Sequence, residues 1–454
     1  MNSNKYLWDE FLEFETKNSL FDIKDENGIY IWDILRYHIW GKIVYANIDI
    51  KGEKLNRLSM SWITSKIVHI FDNLWLLFSR KKYINLFLLF SRSIFNDEYF
   101  DQNAYDVLQI LKEEDSLLLE LNRPIYSNQY KKRYKKNYHF FLNTMIFIYI
   151  FSAFHIIKTG RFDYLDALCL VIKKGYPQIK INKDNLIVLI KGYYVNKYLY
   201  EKILKRHCIK KVFYINTGVE KGIVSAAKNC HIPVYEFQHG VIDRGHMYYS
   251  YPLVKDLWDK VYLPTKLLTF SRYWLKGIYY PSRELVIGNN YISKKIVKEI
   301  NCDIILFVSA NVFGDKLAYL LNQAANKIKS NIIFKLHSNE YDQVDFYKTL
   351  FLGNKNIRVI TNECSINELL AKARLMVTVF STAVYEALQA SVPVCIFKVE
   401  TYEIMNPVFE LDGVFLINGA CDFLNVIDQI KPLENSPVFF ESFNPDVVRK
   451  ELIG

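Results

Sequence analysis

Val377-Thr378-Val379-Phe380-Ser381-Thr382-Ala383-Val384-Tyr385-Glu386-Ala387-Leu388 reads as a buried strand, a small polar turn and the first turns of a helix. The run from Val377 to Phe380 is β-branched and aromatic, which suits a pleated buried strand. Glu386-Ala387-Leu388-Gln389-Ala390 favours helix. Ser381 and Thr382 therefore fall where a helix presents backbone N–H groups that have no intrahelical partner, an end that attracts anions. Glu386 lies one turn beyond Thr382, so its carboxylate can turn toward the same mouth and accept hydrogen bonds from a sugar hydroxyl such as a ribose. The plainer role for Ser381 or Thr382 is a helix cap, since both residue types are preferred caps.

The same grammar recurs upstream. Ile332-Ile333-Phe334-Lys335-Leu336-His337-Ser338-Asn339-Glu340 is a buried strand ending in a basic, polar cluster, and strand alternation puts Lys335 and His337 on one side. Asp303-Ile304-Ile305-Leu306-Phe307-Val308 ends at Ser309-Ala310-Asn311, small and polar where a ligand would come close. In open parallel sheets ligands sit at the carboxyl ends of strands, so three polar strand ends in one αβ run point to a ligand-binding site of Ser309, Lys335, His337, Ser381, Thr382 and Glu386.

An earlier αβ series runs from Asn185. Asn185 to Arg206 is helical, Lys211 to Asn216 a strand, Glu220 to Asn229 a helix and Pro233 to Phe237 the next strand. The two strands end in Asn216-Thr217-Gly218 and Gln238-His239-Gly240. The predicted class is α/β with two doubly wound, Rossmann-like lobes, residues 1–290 and 291–454, linked through 291–302. Gly240 lets the backbone turn sharply after His239, and an imidazole there can act as a general base or donate to an anion; a turn histidine bonded to local backbone is the plainer alternative. Arg244 and His246 follow, then Tyr248-Tyr249-Ser250-Tyr251-Pro252, expected to form a mobile, cationic and aromatic flank.

At 454 residues the chain has room for two ordinary domains, and 51% hydrophobic content with only 17 Gly and 11 Pro excludes a long low-complexity segment. The aromatic share of 16% fits an AT-rich coding bias better than an aromatic ligand platform. The formal charge of +10 includes basic runs at Arg80-Lys81-Lys82 and Lys131 to Lys136. No zinc finger, RRM or helix-turn-helix accompanies it, so no nucleic-acid partner is expected; an anionic membrane face or an anionic sugar nucleotide explains the charge. The seven Cys form no C-x-x-C pair and no His/Cys cluster at ligand spacing, and read as reduced core thiols of a cytosolic protein. The polar, acidic N-terminus carries no secretory signal. Tyr138 to Ile157 is largely apolar and follows a basic run; His139, Asn143, Ser152 and His155 interrupt it, which favours a helix that is buried or lies on the inner membrane surface over one that crosses it.

Gln238-His239-Gly240, Ile287-Gly288-Asn289, Lys335-Leu336-His337 and Ser381-Thr382 with Glu386, in this order, resemble bacterial surface-polysaccharide (capsule or O-antigen) glycosyltransferases of the GT-B architecture. The resemblance covers roughly residues 185 to 430. It implies two lobes facing a cleft, a first lobe that binds the acceptor through Asn216, Thr217, Gln238, Gly240 and Arg244, and a second that binds a nucleotide sugar. It implies that Lys335 and His337 meet the donor phosphates, Ser381 and Thr382 hold them, Glu386 approaches the ribose or sugar, and His239 is the catalytic base. No bound metal and no cofactor beyond the nucleotide-sugar substrate are implied; the expected acceptor is a lipid-linked or oligosaccharide chain at the inner membrane face. Ser338 follows His337 where related enzymes usually carry Pro, and no acidic-acidic-Gly triplet of the bacterial sialyltransferases is present, which argues against a CMP-sialic acid donor. Three other readings stay open: a teichoic-acid-type polyol-phosphate transferase, a sugar-nucleotide epimerase, and a noncatalytic scaffold of a polysaccharide assembly complex.

Overall fold

The computed structural model describes residues 6–46, 75–91, 93–95, 98–121, 131–133, 138–139, 160–215, 221–293, 296, 299, 303–310, 313–400, 402–431, 433–434 and 437–453. The chain forms two compact units, the first of residues 1–289 with 443–454 and the second of residues 290–442.

Unit 1 is built on a parallel sheet of β1 (Asn85–Leu89), β4 (Ser116–Glu120), β6 (Tyr138–His139), β7 (Lys211–Ile215), β8 (Val234–Phe237), β9 (Lys266–Thr269) and β10 (Arg283–Val286). Their spatial order is β10-β9-β8-β7-β1-β4-β6, with every pairing parallel. A small separate sheet pairs β2 (Ser93–Phe95), β3 (Glu98–Phe100) and β5 (Lys131–Lys132). Sheets covered on both faces need continuous apolar strands; β1, Asn-Leu-Phe-Leu-Leu, is buried at every position. Leu86-Phe87-Leu88-Leu89 is thus core of this unit. Phe87 pairs in register with Phe213 and their rings stack at 4.5 Å.

The helix Lys183–Arg206 starts where Asn182 accepts the Asp184 backbone N–H at 2.7 Å, a side-chain cap for an otherwise orphaned donor. Two N-terminal helices, Leu7–Lys17 and Trp32–Ala46, are fixed by buried ion pairs. Arg36 Nε meets Glu15 at 2.8 Å, and Lys221 Nζ meets Asp33 at 2.8 Å. Of the apolar segment 138–157, the first two residues form strand β6 rather than helix, and its remaining positions lie outside the described residues, as do Asn216 and Thr217. Among the described residues no helix is long and apolar enough to cross a membrane.

The last twelve residues correct the expected boundary. They belong to unit 1, not to a second domain running to 454. Asn444 donates its N–H to Ile287 O at 2.8 Å and caps the short helix Pro445–Val448 through the N–H groups of Asp446 and Val447. Val448 and Leu452 are buried, while Glu451 accepts from Lys266 at 2.7 Å and pairs with Arg283 at 3.3 Å. The physical reason is that this segment has an apolar pair and a carboxylate that fit the cations on β9 and β10. The division falls after Asn289, just past Gly288, whose φ of 69° lies in the left-handed region that only glycine enters at little cost.

Unit 2 holds β11 (Ile304–Val308), β12 (Asn331–Lys335), β13 (Ile357–Ile360), β14 (Ala373–Thr378), β15 (Val394–Phe397) and β16 (Val414–Ile417). The order is β13-β12-β11-β14-β15-β16, again all parallel. Counted from its own first strand this is 3-2-1-4-5-6, and unit 1 counted in the same way has that order with one strand added beyond the sixth. Both sheets are therefore doubly wound, with the order reversing beside the first strand. The core of unit 2 joins Ile305 and Phe307 of β11 with Ile332 and Phe334 of β12, with Leu336 just after it, and with Leu375, Val377, Leu317, Leu321 and Phe423.

Candidate functional site

In unit 2 the reversal lies between β11 and β14, with β12 on the other side of β11. A crevice opens there because the connections leaving the two strands turn to opposite faces of the sheet. The three polar strand ends read from the sequence, after β11, β12 and β14, are brought to this one edge. Thr378 Oγ1 donates to Val308 O at 2.8 Å and ties the ends of β14 and β11 together.

On β12 and just beyond its end, Phe334 and Leu336 enter the core while Lys335 and His337 belong to the alternate side. The Lys335 ammonium donates to Thr361 O at 2.7 Å and Cys364 O at 2.9 Å, which leaves one of its three N–H bonds for a ligand. Burial pulls its pKa down, against the opposing pull of Glu363. His337 Nδ1 accepts the Asn339 backbone N–H at 3.2 Å, so a neutral ring carries its proton on Nε2 and presents it as a donor. Desolvation lowers the His337 pKa and favours that neutral form.

Ser309 is buried and engaged on all sides. Its hydroxyl bonds Glu340 Oε2 and accepts the His337 N–H at 2.7 Å, and its own N–H donates to Lys335 O at 3.0 Å. It organises the ends of β11 and β12 rather than offering a free hydroxyl. Glu340, 2% exposed, also accepts from Tyr347 Oη at 2.9 Å; burial raises its pKa and those hydrogen bonds oppose the rise. Sequence reading quoted Glu340 without giving it a role, although a carboxylate packed into an αβ core is itself a signal. The packing needs Gly314, because a Cβ there would overlap the Glu340 carboxylate and lie 2.6 Å from Tyr347 Oη. Gly314→Ala is expected to displace Glu340, loosen Ser309 and lower stability by about 1–3 kcal/mol, read by denaturant unfolding; a variant as stable as the parent would show that this packing does not hold the strand ends.

After β14, Ser381 Oγ accepts the Ala383 N–H at 3.2 Å, so it caps the short helix Ala383–Gln389 and keeps its own hydroxyl proton available. Thr382 makes no side-chain cap. Glu386 is half-buried, and its carboxylate has no hydrogen-bond or ionic partner among the described residues. Desolvation pushes its pKa up to about 7. A desolvated, unpaired carboxyl at a strand-end crevice is the pattern of a functional group awaiting a ligand rather than of a structural ion pair.

In unit 1 the described candidates gather after β8. Gln238 is fully buried, donates to Gly240 O at 2.8 Å and accepts the Phe270 N–H at 3.0 Å. It therefore shapes the turn that presents His239, which is exposed. Arg244 pairs with Asp9 at 2.8 Å and is largely solvent-facing. The flank beyond it differs from expectation. Met247 to Tyr251 is buried, and Arg36 pins it by donating to Met247 O and, at 3.1 Å, to Ser250 O. His246 donates from Nδ1 to Val241 O at 3.0 Å, and burial lowers its pKa. Of the described cysteines only Cys395 is fully buried, and Cys208 and Cys421 are exposed, so the expectation of core thiols holds for one of them. A cavity of about 1040 Å³ beside Arg244, walled by Asp9, Glu13, Tyr251 and Tyr279, takes in neither His239 nor any strand end of unit 2.

No protein-family model and no curated protein matches the chain. Among solved structures it is similar to the UDP-GlcNAc 2-epimerase of Methanocaldococcus jannaschii, at 14% identity and a TM-score of 0.47 over 82% of this chain and 100% of that one. It is also similar to the calicheamicin glycosyltransferase CalG4, at 12% identity and a TM-score of 0.49 over 81% and 93% of the two chains. A third is MurG of Acinetobacter baumannii, at 12% identity and a TM-score of 0.42 over 77% and 90%. The two-unit α/β assignment rests on the sheet orders above.

Proposed function

We propose that the protein is a GT-B glycosyltransferase that binds a nucleotide sugar on unit 2 and transfers the sugar to a growing surface-polysaccharide acceptor. The observation that carries the reading is the set of groups at the β11/β14 reversal: a neutral imidazole donor at His337, free hydroxyls at Ser381 and Thr382, one spare N–H on Lys335, and an unpaired, desolvated Glu386. Donors aimed at an oxygen that gains charge suit a departing nucleotide diphosphate, and fixed donors of this kind dominate many enzymes' rate enhancement. Glu386 suits a ribose or sugar hydroxyl, since a carboxylate accepts hydrogen bonds through both of its oxygens.

In the transfer, the acceptor oxygen forms its bond to the donor's anomeric carbon as the bond from that carbon to the phosphate oxygen breaks. The electron pair leaves on the diphosphate, and the acceptor's proton passes to His239. The acceptor would be a lipid-linked or oligosaccharide chain, met at the anionic inner membrane face by a basic protein. Product analysis tests the reaction class. A glycosidic bond supports the proposal, a phosphodiester would make the protein a polyol-phosphate transferase, and an epimerised sugar nucleotide without acceptor would make it an epimerase. His337→Ala and Ser381→Ala are each expected to weaken nucleotide binding by roughly tenfold or more, as loss of a hydrogen bond to a charged group costs about 1.5–3 kcal/mol; native affinity in both would remove the donor-site assignment.

A further inference from the structure

The cavity beside Arg244 in unit 1 shares none of the donor-site groups, and its lining differs from theirs in kind. Four pieces of chain build it: the helix Leu7–Lys17, the turn at Gly175-Tyr176, Arg244 with residues 250–253 of the connection that leaves β8, and residues 277–279 of the connection that leaves β9. Connections leaving the carboxyl ends of parallel strands are where ligands sit in such sheets, and the β8 connection is the one that opens with Gln238-His239. The walls are held before any ligand arrives. Arg36 donates to Ser250 O at 3.1 Å, the Tyr251 N–H donates to Tyr279 O at 3.0 Å, and Tyr251 Oη donates to Asp33 at 3.0 Å. Gly175 lets its turn close on the helix, since a Cβ there would overlap the Phe14 ring. A space of about 1040 Å³ stands at the upper end of ligand pockets, which run from about 300 to 1,000 Å³ and are mostly preformed.

The lining selects among ligands. Although the chain carries a formal charge of +10, the cavity presents three carboxylates, Asp9, Glu10 and Glu13, against two cations, Arg244 and Lys17, and Asp9 meets Arg244 at 2.8 Å. A phosphate-bearing ligand, whether a sugar nucleotide, a polyol-phosphate chain or a phospholipid headgroup, gains nothing from that balance. An alkyl chain would strip water from the carboxylates and give them no hydrogen bond in return. Beside the charges stand Tyr279, 40% exposed, and Leu253, 81% exposed, the apolar surface left for a ligand to cover. An uncharged sugar chain satisfies both halves. Its C–H faces cover the tyrosine ring and the leucine, while its hydroxyls donate to the carboxylates and accept from the guanidinium. We propose that this cavity is a glycan-binding subsite that holds uncharged sugar units of the acceptor chain, away from its reacting end, through Tyr279, Leu253 and the Asp9–Arg244 pair. The assignment of those units to an acceptor rests on the transfer reading above; the binding itself does not.

The test is binding of the full chain to a printed array of oligosaccharides, some uncharged and some bearing phosphate or carboxylate, with Tyr279→Ala and Leu253→Asp alongside. Both side chains are exposed, so each variant is expected to unfold at the parent's temperature, and either one serves if the other does not fold. The expected result is binding of at least one uncharged oligosaccharide, weakened about tenfold or more in each variant, with the thermal shift given by a sugar nucleotide kept. An array with no uncharged glycan bound, binding confined to the anionic glycans, or parent-like binding in either folded variant overturns the subsite. Glycan binding that the variants lose, in a chain that no sugar nucleotide stabilises, leaves the subsite standing and removes the transfer reading. A sugar-nucleotide shift with no glycan bound does the reverse.

Discussion

Asp33→Ala is expected to destabilise unit 1 by about 3–5 kcal/mol, because it leaves the Lys221 ammonium buried without its counter-charge. Asp33 and Lys221 are 2% and 6% exposed. The carboxylate accepts from Lys221 Nζ at 2.8 Å, Tyr251 Oη at 3.0 Å and the Tyr262 N–H at 2.7 Å. Burial alone pushes the Asp33 carboxyl up, but Lys221, the Tyr262 N–H and Arg36 together hold it below its ordinary range. Because this folded-state pKa is depressed, its stabilisation is present above the unfolded aspartate's pKa and is lost as pH falls through the lower folded value. A loss of this size is a large share of an ordinary domain's stability. Denaturant unfolding checks it: a loss below about 1 kcal/mol would mean that water or another group compensates Lys221, whereas replacing both partners with apolar residues of similar volume should recover much of the loss.

The second large effect is a gain. Glu386→Gln should stabilise unit 2 at pH 8 and leave it nearly unchanged at pH 4. Desolvation raises the Glu386 pKa from 4.5 to about 7, so the native state holds this proton more tightly than the unfolded chain does. As pH rises from about 4.5 to about 7, the unfolded chain releases the proton first and the native state loses stability relative to it; above 7 the penalty is complete. At 1.36 kcal/mol per unit the ceiling is about 3 kcal/mol, and partial solvent access reduces it. The same substitution should weaken nucleotide-sugar binding, a trade of stability for function that suits a ligand-binding carboxyl. Equal stability of parent and variant at both pH values would show that Glu386 is solvated and poorly suited to its assigned role.

Much of unit 2 was legible in the sequence because each strand is a short apolar run that stops at a polar pair, and the stop is what a parallel sheet does at its ligand edge. The strands expected from Asp303 and Ile332 are present as β11 and β12, and the run expected as a strand at Val377–Phe380 supplies the end of β14, which stops at Thr378. What each strand end does was harder to read. Ser309 looked like a free hydroxyl, but its partner Glu340 lies 31 residues away, and the carbonyls that engage Lys335 lie 26 and 29 residues away. Such pairings depend on which loops the sheet order brings together, and no local period carries that information. Unit 1 shows the same limit more strongly. What fixes the N-terminal helices is ionic and distant, Asp33 meeting a lysine 188 residues on. The loop after His239 looked polar and mobile since its Tyr and His residues carry polar atoms, yet Arg36 buries it from 211 and 214 positions back.

A sugar nucleotide held at the strand ends of unit 2 should raise the protein's thermal stability. Thermal unfolding of the full chain with UDP, GDP, CMP, CDP and TDP sugars, beside His337→Ala, tests it most directly, since a ligand at a hundred times its Kd adds about 2.7 kcal/mol. One nucleotide class is expected to raise the transition, and His337→Ala to lose most of the rise. A chain that no sugar nucleotide stabilises, or one stabilised equally with and without His337, would contradict it.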